Sequence, residues 1–410
     1  MQKRRLPPAT LSYSPVSSTS GDDGSPHSFY SSSPESDDYY EESFASDSSS
    51  SDKAPFAPAV DSQQKTLFWI LFALVTLIKV LLLPSYTSTD FEVHRNWLAI
   101  TYNLPISRWY VDTTSQWTLD YPPLFAWFEY ALSQLAALVH PKMLQLTSTP
   151  FKSPETVVFQ RWTVICSDLL YAVACYECWL MLCNCPPLRR LKVRDQLLSP
   201  PLVLAFLMLW TPGLLLVDHV HFQYNGMLTG LLLLSVVRMM QQRPLESAFL
   251  FAILLNLKHL YLYVAPAYFV YLLRTYCIHW EARRLLWANV IRLGSIVLSV
   301  FVISFGPFVW FGQTGQLLAR LFPFRRGLSH AYWAPNFWAV YNSLDKFLAI
   351  LSVRRSATDA NKAHMTGGLV QEFDHQMLPS IAPIVCIALV VSSLIVRIFG
   401  LNLCFFELVN

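Results

Sequence analysis

The chain has 410 residues, 53% of them hydrophobic and only 14% charged, with a formal net charge of +3. A water-soluble globule of this size cannot hide so much apolar surface, so lipid is the expected solvent for most of the chain. That excludes an ordinary soluble enzyme.

Residues 1–66 are a different material. They hold 18 Ser and 10 of the 27 acidic residues, in runs such as Ser48-Ser49-Ser50-Ser51 and Asp37-Asp38. Such a stretch buries too little to offset chain entropy and is expected to be a disordered Ser/Asp-rich tail. It has no apolar segment of the signal-peptide type, so Leu67–Leu83 is expected to serve as the signal anchor. The tail carries 5 basic and 10 acidic residues, which leaves 25 basic and 17 acidic for residues 67–410. A basic membrane body suits anionic lipid and phosphate-bearing substrates, although cytosolic loops are basic in any membrane protein. No nucleic-acid partner is expected.

Apolar runs long enough to cross or enter a bilayer lie near 67–83, 123–140, 162–183, 201–217, 227–241, 247–274, 288–311, 335–352 and 379–399. The expected architecture is an all-α polytopic membrane protein of about eight to ten helices, each of ~20 residues. Lys258-His259 divides the long 247–274 run, giving either two half-membrane helices or one tilted helix with a polar centre. The basic stretches Arg189–Arg194, Arg238 with Arg243, and Arg274–Arg284 are placed in the cytosol, which puts 218–226 and 312–334 on the opposite side. Placing Asp90 on that side too requires an odd number of crossings between 97 and 189, where two apolar runs stand. Residues 123–140 resolve the count if they lie along the interface.

The eight cysteines, at 166, 175, 178, 183, 185, 277, 386 and 404, sit mostly within or beside apolar runs. Cys175-x-x-Cys178 and Cys183-x-Cys185 have metal-like spacing but no His or carboxylate partners arranged around them, so packed or lipid-facing thiols are expected.

The first candidate site is the loop at 85–122, which opens on Ser88-Thr89-Asp90-Phe91-Glu92-Val93-His94-Arg95-Asn96-Trp97 and closes on Leu119-Asp120-Tyr121-Pro122-Pro123. Charged side chains so near hydrocarbon call for a functional reason. Asp90 and Glu92 are two apart, so on a helix only one faces a given cleft. A carboxylate at a half-desolvated surface can abstract a proton from a sugar hydroxyl, and Asp90 is the candidate. Glu92 and Arg95 are either substrate contacts or an i,i+3 surface pair. Trp97, Trp109, Tyr110 and Trp117 either stack on sugar rings or form an interfacial aromatic belt. Asp120, ahead of Tyr121 and the two prolines, either contacts substrate or caps the next helix.

The second site is Asp218-His219-Val220-His221-Phe222-Gln223-Tyr224-Asn225-Gly226, read as a polar loop. Asp218, His219 and His221 are a weak metal set, because no third His or further carboxylate is evidently paired with them. Hydrogen bonding of these residues, with Gln223 and Asn225, to a sugar or pyrophosphate is preferred. Lys258, a cation inside an apolar run, needs an anionic partner: a lipid phosphate, or Asp218 or Asp168. The last site is Arg320-Leu321-Phe322-Pro323-Phe324-Arg325-Arg326-Gly327 followed by His330-Ala331-Tyr332-Trp333-Ala334-Pro335-Asn336-Phe337-Trp338. Paired arginines off the cytosolic side point to phosphate binding, with snorkelling to lipid head groups as the alternative.

Taken together, these strings resemble the endoplasmic-reticulum α-1,3-glucosyltransferases that use dolichyl phosphate glucose to extend a lipid-linked oligosaccharide. The resemblance covers about residues 67–385. It rests on Thr89-Asp90-Phe91-Glu92 with Trp97, Trp117–Pro123, His221-Phe222-Gln223-Tyr224-Asn225 and Arg320–Gly327. Within that family, Ser88–Trp97 and His330–Trp338 are most similar to the branch that adds the second glucose. The resemblance implies a C-type glycosyltransferase (GT-C) fold, no metal or other cofactor, and an active site in the organelle lumen. It also implies a dolichyl phosphate glucose donor and a dolichyl-pyrophosphate oligosaccharide acceptor carrying nine mannoses and one glucose. By the same analogy Asp90 is the general base of a single inverting displacement. Lys258, Arg325 and Arg326 are the candidate cations for the donor phosphate, chosen on charge and side of the membrane. Relatives continue beyond the point where this sequence stops, so a non-catalytic, C-terminally shortened form is a competing expectation. A membrane transporter or lipid-binding protein is another, disfavoured because no repeated halves are visible.

Overall fold

The computed structural model describes residues 62–184, 199–279, 284–322 and 337–351, with isolated positions between 364 and 392. Most of this is helix. Two antiparallel strand pairs, Ile278–His279 with Arg284–Leu285 and His364–Met365 with Gln371–Glu372, are two residues long per strand. The expectation of an all-α membrane protein holds, and residues 1–61 of the acidic tail lie outside the described residues.

Helix α1 is Ser62–Leu81, so it starts five residues before its apolar run. Lipid contact sets the run, but helical hydrogen bonding continues through Gln63, Gln64 and Lys65 without it. After a turn, α2 (Thr89–Asn103) begins at Ser88, whose hydroxyl accepts the backbone N–H of Phe91 as an N-cap. An irregular stretch leads to α3 (Pro123–Val139), with Pro122 at its N-cap and Pro123 in the first turn, where a missing N–H costs nothing. Asp120 therefore does not cap this helix.

The long α4 (Pro154–Asn184) is followed by α5 (Pro200–Leu209), which runs through a turn at Pro212–Leu214 into a π-helical segment, Leu215–Phe222. Next come α6 (Asn225–Met240) and α7 (Pro244–Leu257). At Lys258 the backbone turns extended, a 3-10 turn covers His259–Tyr263, and α8 (Ala265–Leu272) completes the broken span. Beyond it lie α9 (Trp287–Trp310), the short amphipathic α10 (Thr314–Leu321) and α11 (Phe337–Leu351).

Among the described residues, four segments have the length and apolarity to cross a bilayer: Ser62–Leu81, Pro154–Asn184, Pro200–Phe222 and Trp287–Trp310. Helices α3, α6 and α7 are apolar but shorter than the ~20 residues a perpendicular crossing needs. Helix α9 leaves Ile291, Leu298, Val302 and Ile303 exposed, with Trp287 and Trp310 at its two ends. That is the pattern of a lipid-facing helix with interfacial aromatic anchors.

The helices meet around a core built on Trp97, Phe125, Val164, Phe222, Tyr224, Leu228, Phe251 and Phe308. Close approach of α4 and α6 depends on Gly230, where a Cβ would fall 2.8 Å from the Cα of Tyr171. Small residues let membrane helices pack backbone to backbone in this way.

Candidate active site

The structure gathers one polar cluster from α2, the π-helical segment, the start of α6 and the break at Lys258. Its order follows from one reversal of the chain. Asp218, His219 and His221 do not lie on a loop, as their polarity suggests, but continue the helix as a π-turn that ends at Phe222 with φ +89°. The widened turn leaves carbonyls without helical partners. Arg161 of α4 takes up two of them, donating to His219 O and to Val220 O (3.0 Å), and also donates to Tyr86 O (2.9 Å). Ser85 donates to His219 O and Ser88 to His221 O. After the reversal, α6 starts with its amides facing Asp218, whose carboxylate accepts from Gly226 N and from Asn225 Nδ2 (3.1 Å). A carboxylate at a helix N-terminus is favoured by the helix dipole.

Asp90 stands at the open side of this arrangement, its side chain 33% exposed. Gln223 Nε2 donates to its Oδ2 (2.6 Å), and His221 Nε2 lies 3.2 Å from the same oxygen. Gln223 Oε1 in turn accepts from Asn225 Nδ2 (2.6 Å), and Asn225 Oδ1 accepts from Lys258 Nζ (2.9 Å). Lys258 also sits 5.3 Å from the centre of the Tyr121 ring. The charges of Asp218, Asp90 and Asp120 all act on it. The same three carboxylates surround Tyr121, whose phenol is pushed well above its usual range, first by burial and then by Asp120, Asp90 and Asp218. Tyr121 therefore stays a neutral hydroxyl between anions. One ammonium, one phenol and three carboxylates share the site.

Several expected contacts lie behind this cluster rather than in it. Glu92 and Arg95 form a buried ion pair (2.6 Å), not a surface one. Arg95 also donates to the carbonyls of Met143 (3.0 Å) and Gln145 (2.7 Å), and Glu92 accepts from Phe151 N. The pair braces α2 against 143–151. Trp97, Trp109 and Trp117 are buried, so they form neither a sugar-stacking face nor an exposed belt. Trp97 Nε1 donates to Thr118 O, and Asn96 donates to Trp117 O, which closes the end of the irregular stretch onto α2. His219 turns away from His221 to meet Asp168 (2.7 Å), where Lys79 of α1 also binds (2.6 Å). The two imidazoles thus serve different carboxylates, and among the described residues no group of three or more His, Cys, Asp or Glu is placed to hold a metal. Arg325, Arg326 and His330 lie outside the described residues. Of the four expected phosphate- or substrate-facing charges after residue 250, only Lys258 is placed.

Four side chains that sequence reasoning passed over are part of this architecture: Lys79, Arg161, Tyr86, and Glu129, which pairs with His94 (2.6 Å) under the aromatic core. Lys79, Arg161 and Glu129 each carried a readable signal, a lone charge in or beside an apolar run. Tyr86 carried none.

The site therefore belongs to an all-helical membrane fold, that of the C-type glycosyltransferases. The chain belongs to the ALG6, ALG8 glycosyltransferase family, whose sequence profile matches residues 75–405, reaching past the limit near 385 expected from the motifs. It is 50% identical over 339 residues to the mouse protein named dolichyl pyrophosphate Glc1Man9GlcNAc2 alpha-1,3-glucosyltransferase, covering 80% of this chain and 63% of the relative. The bovine protein of that name matches equally, at 50% over 339 residues with the same shares. A Drosophila melanogaster protein, the probable enzyme of that name, is 50% identical over 327 residues, covering 79% of this chain and 60% of its own. The chain thus spans a little over three fifths of the length of these relatives.

Proposed function

We propose that the protein transfers glucose from dolichyl phosphate glucose to the monoglucosylated, nine-mannose lipid-linked oligosaccharide, forming an α-1,3 bond at the lumenal face of the endoplasmic reticulum membrane. The observation that carries this reading is the placement of Asp90. It is one-third exposed at the mouth of the cluster, and Gln223 and His221 both meet one of its two oxygens, Oδ2. The other oxygen is the one offered to an incoming hydroxyl. The family and the names of the relatives support the choice of sugar and lipid carrier.

In the reaction the acceptor's glucose 3-hydroxyl gives its proton to Asp90 Oδ1 as its oxygen attacks the anomeric carbon of the donor. The bond to the phosphate oxygen breaks on the opposite face, and its electron pair leaves with dolichyl phosphate. That inverts the β-linked donor to an α product. The leaving phosphate is already an anion, so no general acid is required. A cation that meets its developing charge lowers the barrier. Lys258 is the described candidate, and Arg325 and Arg326 remain further candidates. Lys258 faces three carboxylates, so its charge is largely spoken for until an anionic ligand displaces Asn225 from it.

The test is the glycan profile of cells that lack their own second-glucose enzyme. Introducing this chain should convert monoglucosylated lipid-linked glycan to the diglucosylated form. Asp90→Asn should reduce the conversion by ~100-fold or more at equal protein level, the usual contribution of a general base. Activity near wild type in that variant would remove Asp90 from the role.

A further inference from the structure

We propose that His221 positions the Asp90 carboxylate, with its tautomer locked by Tyr86, so that Asp90 presents a single, fixed oxygen to the acceptor. This inference rests on the reading of Asp90 as the general base. An ionised carboxylate only accepts hydrogen bonds, so the His221 nitrogen 3.2 Å from Asp90 Oδ2, Nε2, carries the hydrogen. In the neutral ring the other nitrogen, Nδ1, is then an acceptor. The Tyr86 hydroxyl stands 3.1 Å from Nδ1 and is the donor that fits.

The backbone around the imidazole is held as tightly as the ring. Ser88 donates to the His221 carbonyl, and Arg161 donates to the carbonyls of His219 and Val220 just before it. Gln223 adds a second donor to Oδ2, itself oriented by Asn225. Two N–H groups on one oxygen stop the carboxylate from rotating about its Cβ–Cγ bond. The other oxygen makes no hydrogen bond among the described residues. Orientation of this kind acts on the chemical step, because a base displaced by about 1 Å costs roughly a hundredfold in rate. His221 is thus a positioning residue acting through Asp90, not a contact for sugar or phosphate.

The test uses the full chain, purified in detergent, with dolichyl phosphate glucose and the monoglucosylated lipid-linked acceptor. His221→Ala should lower kcat about tenfold to a hundredfold, with KM for both substrates within about twofold and an unchanged melting temperature. His221→Gln, whose side-chain amide can reach the place of Nε2–H, should recover most of that loss. Tyr86→Phe should lower kcat by a few fold. A rise in KM at constant kcat for His221→Ala, or a Gln variant no better than Ala, overturns the proposal. A second arm does not depend on turnover. In 15N-histidine-labelled protein the His221 ring should be the Nε2–H tautomer in wild type and a tautomer mixture in Tyr86→Phe. An Nδ1–H ring in wild type overturns the proposal, whereas a wild-type chain inactive on both substrates with an Nε2–H ring sinks only the reading of its reaction.

Discussion

Lys79 in the first helix and Asp168 in the fourth meet across 2.6 Å, both almost wholly buried, and the same Asp168 oxygen meets His219 at 2.7 Å. Removing one member of a buried ion pair leaves the other charge without compensation, at a cost of ~3–5 kcal/mol. Lys79→Met and Asp168→Asn should each lower the thermal stability of the detergent-solubilised protein sharply. Joining them in one chain should cost clearly less than the sum. Additive losses in fluorescence-detected unfolding would mean that the two residues do not act as a pair.

Gly226 has no room for a side chain. A Cβ there would collide with Asp168 Oδ1 and press on Asp218 Oδ2 at 3.3 Å. Gly226→Ala should destabilise by ~1–3 kcal/mol through overpacking, despite the better helix propensity of alanine. The same measurement on Gly213→Ala, where a Cβ meets nothing within 4 Å, should show little change.

Burial raises the Glu92 carboxyl above its ordinary 4.5, outweighing the lowering by Arg95 and by the amide of Phe151. The folded state therefore holds the proton more tightly than the unfolded state between 4.5 and the raised value. Stability is greatest below that window and falls as pH rises through it. Glu92→Gln should remove this slope from a plot of melting temperature against pH. A slope that survives belongs to another group.

Lys258 bridges Asn225 and the Tyr121 ring in the gap between α7 and the 3-10 turn. Lys258→Met should remove the cation on which Asp218, Asp90 and Asp120 act and reduce the proposed glucose transfer at least tenfold. Lys258→Arg should retain part of it if the role is charge. Equal losses in both variants would point to the ammonium's shape and not its charge. Transfer by Lys258→Met at the wild-type rate would sink the role altogether.

Where the sequence spoke clearly, it did so through hydrocarbon. A polar interruption at Lys258-His259 was legible because a cation inside an apolar run needs a partner, and of the two readings of that run the break is the one found, the helix ending there. The separate fates of Asp90 and Glu92 followed from helical spacing alone. The segment at 218–222 was misread as a loop because a π-turn has no composition of its own; its carbonyls are satisfied by Arg161 from a distant helix. Glu92, Arg95 and the tryptophans could be read as ligand contacts, as a surface pair or as an interfacial belt, because polar and aromatic residues mark sites, surfaces and buried braces alike. Only packing tells the two apart.

Arg161 has one more consequence. Its guanidinium is solvated by carbonyl oxygens, and among the described residues no carboxylate lies within ion-pair distance of it. Carbonyl dipoles stabilise a charge without cancelling it. A unit of positive charge is therefore held, uncancelled, against the backbone of the π-turn that carries His219 and His221.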